Sequence, residues 1–217
     1  MFCQYDSADL SCSESFRSRL LGRPRITGEE IKIGDSIVAF KEEGFRSNGL
    51  SLVRKVFQKV YGDNWHTKEL NGISLGRLAL TPSKIYSKTI VNAHGGINNP
   101  KRAEVHGVAH ITGGGIPGKL RRILKASGFG AELNDLFEPA QVMLHCQELG
   151  NVNDKEAYQT WNMGNGMLVI TPEPEKVIQI AKANGVEAKV AGIITIDSQI
   201  KIKNKAHNKA EEVLVFD

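Results

Sequence analysis

Three cysteines in 217 residues, Cys3, Cys12 and Cys146, are too few and too scattered for a disulfide framework. They form no C-x-x-C pair, so a cysteine-based zinc site is not expected either, and a reducing cytoplasm suits them best. Aromatic residues are scarce at 6%, and no stripe of Lys and Arg alternates with them, which argues against a nucleic-acid surface. No apolar run approaches the about twenty residues that a membrane helix needs. The opening MFCQYDSADL carries acids and no apolar centre, so it does not read as a signal peptide. Six histidines are present, but no spacing gathers three of them with an acid, and no metal site is expected. The phosphate-loop and dinucleotide fingerprints are both missing. What remains is a soluble chain with a formal charge of +4, a balance that favours anionic partners only weakly.

Residues 1–29 are polar, rich in Ser and Arg and weakly periodic, and read as a strand remnant and linker of a domain whose body lies elsewhere. From Ile31 the pattern sharpens, with a buried strand at Ser36 to Phe40. Leu50, Val53, Val56, Phe57 and Val60 recur at helical spacing, with Ser47 or Asn48 as cap and Gly62 as stop. A looser stretch follows to residue 80. Thr81 and Pro82 then predict a helix start, with Ile85, Tyr86, Thr89, Ile90 and Ala93 as its stripe. The strand EVHGVAHIT places His106, Val108, His110 and Thr112 on one face and runs into Gly113-Gly114-Gly115, which opens a helix. Further on, Glu138-Pro139 and Thr171-Pro172 predict helix starts, and Asn153 with Glu156 predicts a capping box. MLVIT, KVAGIITI and IKIK read as strands, and residues 204–217 as a charged, loosely held tail. The order of elements predicts an α+β domain over residues 30–203, layered α/β/α around a mixed sheet.

Three glycine-bearing corners join strands to helices: Gly44 to Gly49, His110 to Gly115, and Asn162 to Gly166. Glycine lets backbone approach a ligand closely, and successive N–H groups in such corners can surround a phosphate. Each corner taken singly reads more readily as a plain turn, although three consecutive glycines carry an entropic cost that a plain turn need not bear. His110, beside the triple glycine, is either a general acid or phosphate donor, or a histidine bonded to backbone. His106 reads as structural, and Asp35 and Asp135 as turn or capping residues.

SNGLSLVRKVF, TPSKIYSKTI, VHGVAHITGGG and TWNMGNGM, in that order, resemble the C-terminal domain of phosphoribosylformylglycinamidine cyclo-ligase, or AIR synthetase. The resemblance covers about Ile31 to Lys203. It implies an ATP-dependent ring closure in cytoplasmic purine biosynthesis, in which the formyl oxygen of formylglycinamidine ribonucleotide is phosphorylated and a nitrogen then displaces the phosphate. It implies a phosphorylated small-molecule substrate, a homodimer or an N-terminal-domain partner chain, and ATP with magnesium held mainly outside this chain. The family's D-G-x-G-T-K loop does not occur in these residues. By the resemblance His110 is the catalytic candidate. Arg46, Ser47, Asn48, Thr112, Gly113, Gly114, Gly115, Asn162, Gly164 and Gly166 bind substrate or phosphate. At the first corner the family carries Ser-Gly-x-His-Ser-Asn-Gly, whereas Arg46 stands here in place of the histidine, a group able to clamp a phosphate but not to donate protons near neutral pH. Three readings stay open: a cyclo-ligase subunit completed by a nucleotide domain, a non-catalytic module that holds a phosphorylated ligand, and a different kinase or synthetase of the same superfamily.

Overall fold

The computed structural model describes residues 25–96, 99–208 and 212–217, so that most of the 1–29 stretch, with Cys3 and Cys12, lies outside the described residues. Seven strands form one sheet in the order β4-β6-β1-β7-β5-β8-β9. The central strand β1 (Ser36–Lys41) lies between β6 (Asn165–Thr171) and β7 (Ala188–Thr195), antiparallel to both. On one side β4 (Gly107–His110) pairs antiparallel with β6. On the other, β5 (Gly130–Leu133) pairs antiparallel with β7 and parallel with β8 (Ile200–Lys203), which makes the sheet mixed. A two-stranded hairpin, β2 (Glu69–Leu70) and β3 (Ile73–Ser74), stands apart.

Alternation along β1 assigns the two faces. Ile37 and Ala39 enter a large core under helices α1 (Leu50–Tyr61), α2 (Leu75–Ala79), α4 (Gly115–Leu124), α5 (Gln141–Gly150) and α6 (Asp154–Thr160). Val38 and Phe40 enter a smaller core under α3 (Ser87–His94) and α7 (Pro174–Ala183). Both faces of the sheet therefore carry helices, as the α/β/α expectation requires. The second face is covered only in part, because α7 packs on β1 and β7 while Val190 and Ile193 stay exposed. The buried Cys146 thiol is pushed up to about 12 by its apolar surroundings.

Several boundaries differ from the sequence expectation, each for a local reason. α1 is capped by Gly49, in the left-handed region at φ 67°, and neither Ser47 nor Asn48 caps it. The helix expected from Thr81 begins at Ser87. Thr81 Oγ1 donates to the Leu78 carbonyl and so closes α2, and Pro82 disfavours helical backbone at residue 81. Ile85, set in the expected stripe, is consequently 82% exposed. Glu138-Pro139 precedes a helix that starts at Gln141, and Thr171 remains the last residue of β6, so α7 starts at Pro174 rather than Pro172. The stretch from 62 to 80 holds the hairpin and α2. The Asn153 cap forms as expected, its Oδ1 accepting the Glu156 N–H at 2.9 Å.

The end of the chain also departs from expectation. Within the segment read as a loose tail, β9 (Val213–Phe216) pairs antiparallel with β8, and Leu214 and Phe216 enter the large core. The alternation Val-Leu-Val-Phe is a strand signal, obscured by the charged run that precedes it.

Candidate functional site

The first two glycine corners meet at one end of the sheet. β4 lies at the sheet edge, with Ala109 and Ile111 buried beneath it and His110 exposed, as the alternation predicts. In the amide orientation that satisfies both ends, Asn48 Oδ1 accepts the Gly113 N–H at 2.9 Å and its Nδ2 donates to the Ser47 carbonyl at 3.3 Å. The Gly115 N–H closes onto the Thr112 carbonyl at 2.9 Å. Of the three consecutive glycines, only Gly114 keeps an N–H with no such bond among the described residues.

The three glycines have different causes. A methyl group on Gly115 would lie 1.8 Å from the Tyr158 carbonyl oxygen, so this glycine lets α4 pack on α6. Gly114 has φ 92° in open surroundings, a conformation that only glycine adopts comfortably. Gly113 has neither constraint: its φ is not positive and nothing lies within 4 Å of where a Cβ would sit. The third corner is an internal support. Asn162 is buried, donates from Nδ2 to the Gly44 carbonyl at 2.8 Å and accepts the Gly164 N–H at 2.9 Å. A Cβ on Gly164 would strike the Glu138 carbonyl, and one on Gly166 the Tyr86 hydroxyl. Asn162, Gly164 and Gly166 thus lie behind the first corner, holding it in place.

Beside His110 sits a charge cluster of which only Arg46 was expected from the sequence. Glu42 is 2% exposed at the end of β1. Its Oε2 accepts from Arg46 Nη1 at 2.6 Å and lies 3.1 Å from the Tyr86 hydroxyl and 3.3 Å from the Lys84 N–H. Its Oε1 accepts the Glu43 N–H at 3.1 Å. So many donors make a buried carboxylate tolerable. Burial, then the Glu42 charge, raises the Tyr86 phenol well above its usual range. Arg46 lies with its guanidinium 5.4 Å from the Tyr86 ring centroid, at φ 61°, uncommon for a residue with a side chain. Its Nη2 is 2.7 Å from His110 Nε2. The phosphate clamp expected of Arg46 therefore meets a guanidinium whose terminal nitrogens are already engaged. Ser47, by contrast, is exposed.

A cavity of about 280 Å³ opens next to this cluster, lined by His110, Thr112, Lys119 and Arg122 together with Val108 and Ile123. No carboxylate is among its lining residues. Partial burial, then the charges of Arg46 and Lys119, push the His110 imidazolium below its ordinary range, with Glu42 opposing. Lys119 and Arg122 went unread in the sequence, although their i,i+3 spacing one turn after the triple glycine puts both on one helix side. A larger cavity, about 650 Å³, lies elsewhere, between α1 and α2, with Leu50, Val53, Trp65 and Leu80 in its lining. Glu30, Glu104 and His106 bring ligand-type atoms within 4.8 Å of one another. Two of the three are paired internally: Lys101 lies 2.8 Å from Glu104, and His106 Nδ1 lies 2.6 Å from Asp35.

The AIR synthase related protein C-terminal domain profile matches residues 32–204. A phosphoribosylformylglycinamidine cyclo-ligase of Methanococcus maripaludis strain C6 is 38% identical over 192 residues, 88% of this chain and 51% of that protein. The enzyme of the same name from Methanocaldococcus jannaschii is 38% identical over 187 residues, 85% of this chain and 51% of that protein. The chain thus spans about half the length of the curated relatives it matches. Among solved structures, a HypE-HypF complex shares the fold at TM-score 0.56 and 15% identity, over 88% of this chain and 54% of that one. Escherichia coli HypE, a hydrogenase maturation protein, does so at TM-score 0.53 and 13% identity, over 88% and 51%.

Proposed function

This chain belongs to the AIR synthase related family through its C-terminal domain, and from that membership we propose that it forms the ribonucleotide-binding half of a phosphoribosylformylglycinamidine cyclo-ligase. The observation that carries the proposal is the cavity at the end of β4, where imidazole, hydroxyl, ammonium and guanidinium groups converge without an opposing carboxylate. A phosphate monoester carries close to two negative charges near neutral pH. Lys119 and Arg122 answer that charge, and Thr112 offers a hydroxyl.

ATP supplies the phosphoryl group that activates the formyl oxygen in the proposed reaction. The cavity does not fit magnesium, since its lining offers no carboxylate. Nucleotide and metal are therefore assigned to a partner half, and the work of these residues is to hold the ribonucleotide, orient its reacting end and exclude water. His110 stands at the rim as a hydrogen-bond donor to developing negative charge, the kind of stabilisation that a preorganised site supplies.

Calorimetry with formylglycinamidine ribonucleotide tests the binding half, and a ring-closure assay with ATP, run alone and with a separately expressed N-terminal half of a relative, tests the chemistry. The chain is expected to bind the ribonucleotide by itself and to close the ring only with the partner half. Replacing Lys119 and Arg122 together by Gln is expected to weaken binding by about a hundredfold or more, the worth of two charge-assisted contacts at about tenfold or more each. Absence of ribonucleotide binding at low salt would sink the proposal. Binding without turnover in the presence of the partner half would leave a ligand-holding module.

A further inference from the structure

We propose that Arg46 is a positioning residue that locks His110 in the neutral Nδ1–H tautomer, so that the imidazole serves the cavity as a hydrogen-bond donor and not as a base. The two groups are chemically unequal. A guanidinium has five N–H donors, no acceptor, and keeps its proton at any pH a protein survives. Arg46 Nη2 lies 2.7 Å from His110 Nε2. At that distance Nε2 can only be accepting, since two N–H groups cannot point at each other. A neutral imidazole whose Nε2 accepts must carry its proton on Nδ1.

The lock is built from outside the cavity. Arg46 cannot swing away freely, because its Nη1 is held by Glu42 at 2.6 Å and its guanidinium carbon lies over the Tyr86 ring, 5.4 Å from the centroid. Glu42 is held in turn by the Lys84 and Glu43 N–H groups, with the Tyr86 hydroxyl, which donates to the Lys41 carbonyl at 2.8 Å, beside it at 3.1 Å. The charged and titratable groups around the imidazole are Arg46 and Glu42 from the segment after β1, and Lys119 and Arg122 from α4. Three of these four are cations, which oppose a further positive charge on the ring. Protonating Nε2 would also break its contact with Arg46. Depression of the imidazolium by burial and these charges agrees with the geometry.

The chemical consequence, which rests on the cavity being the ribonucleotide site, is that His110 recognises an acceptor oxygen: a phosphate oxygen or a formyl oxygen gaining negative charge. A histidine at position 46, as in the resembling family, could present either a donor or an acceptor to its neighbour. Arginine removes that choice.

Imidazole tautomers are read directly from long-range nitrogen–proton correlations on the uniformly 15N-labelled chain, with no ligand present. At pH 7.5 His110 is expected to show a pyrrole-type shift at Nδ1 and a pyridine-type shift at Nε2. The reverse pattern, or two pyrrole-type nitrogens, would overturn the inference. Arg46→Gln is made together with Glu42→Gln, so that no carboxylate is left buried and unpaired. In that pair of changes the ring is expected to revert mainly to the Nε2–H form, with ribonucleotide affinity lowered about tenfold, the worth of one hydrogen bond to a charged group. Arg46→Lys, which restores an obligate donor, is expected to recover part of the Nδ1–H population. Should the double variant misfold, the spectrum of the unaltered chain still decides the matter. The Nδ1–H form in a chain that binds no ribonucleotide would defeat the proposed function and leave the lock standing; ribonucleotide binding by a chain with the opposite tautomer would do the converse.

Discussion

A methyl group on Gly115 would press against the Tyr158 carbonyl on backbone already at φ 58°, whereas one on Gly113 would meet open space. Gly115→Ala is therefore expected to destabilise the fold by about 3 kcal/mol or more, because the obstacle is main chain and cannot turn aside. Gly113→Ala should change stability by no more than about 0.5 kcal/mol, yet weaken ribonucleotide binding if the ligand approaches that backbone. Urea melts paired with calorimetry on both variants test this contrast. Gly114 would be a poor probe of binding, since its φ of 92° makes any side chain a strain on the fold. At the neighbouring His110 the folded pKa lies below the unfolded one. Between the two values the unfolded chain binds more protons, so this group's contribution is complete above the ordinary histidine range and declines as pH falls through the folded value. Thermal melts from pH 5 to 8 should show a steeper acid-side loss in the unaltered chain than in His110→Gln. The sequence made the glycines visible as a group but not their separate causes. Tyr158 lies 43 residues beyond Gly115 in the chain, and no local pattern announces that contact. Glu42 was invisible for a related reason: a buried carboxylate is credible only once Arg46, Lys84 and Tyr86 are seen around it.

Among the elements, β9 changes the account of the domain most. Leu214 and Phe216 close the main core, and Arg121 on α4 reaches the Phe216 carbonyl at 3.2 Å. Leu214→Ala is expected to cost about 2–3 kcal/mol, the usual toll for emptying a buried leucine site, measurable as a lowered urea midpoint with little change in slope. A disordered tail would predict no change. The long helices were legible because α1 and α4 carry apolar residues at helical spacing and α1 ends on a glycine at φ 75°. The start of α3 was not. Thr-Pro is a good helix opening by local preference, but between 81 and 86 the Lys84 N–H and the Tyr86 hydroxyl are both engaged near Glu42, outside any helix. Tertiary hydrogen bonds there prevail over a start signal worth about 1 kcal/mol.

For the molecule as a whole, β1 belongs to both cores at once, sending Ile37 and Ala39 to one side and Val38 and Phe40 to the other. Neither core can come apart while that strand stays paired, so unfolding should be a single transition. Tryptophan fluorescence reports Trp65 and Trp161, both at the larger core, and far-ultraviolet circular dichroism reports every element. Their urea curves are expected to coincide, and separate midpoints would show that the layer of α3 and α7 melts on its own. The layered architecture was readable from the order of elements, while strand order was not, since neighbours such as β5 and β8 are joined through sheet contacts far apart in the chain. One feature of the whole bears on how this scaffold can be altered. Asn48 ties the first corner to the second, and Asn162 ties the first to the third, each through one short amide. Such struts fix loop length as firmly as any core contact. A change of ligand preference can be written into this architecture by swapping the outward side chains at Ser47, Thr112 or Lys119, whereas inserting even one residue between Gly44 and Gly49 would lift both braces from their seats.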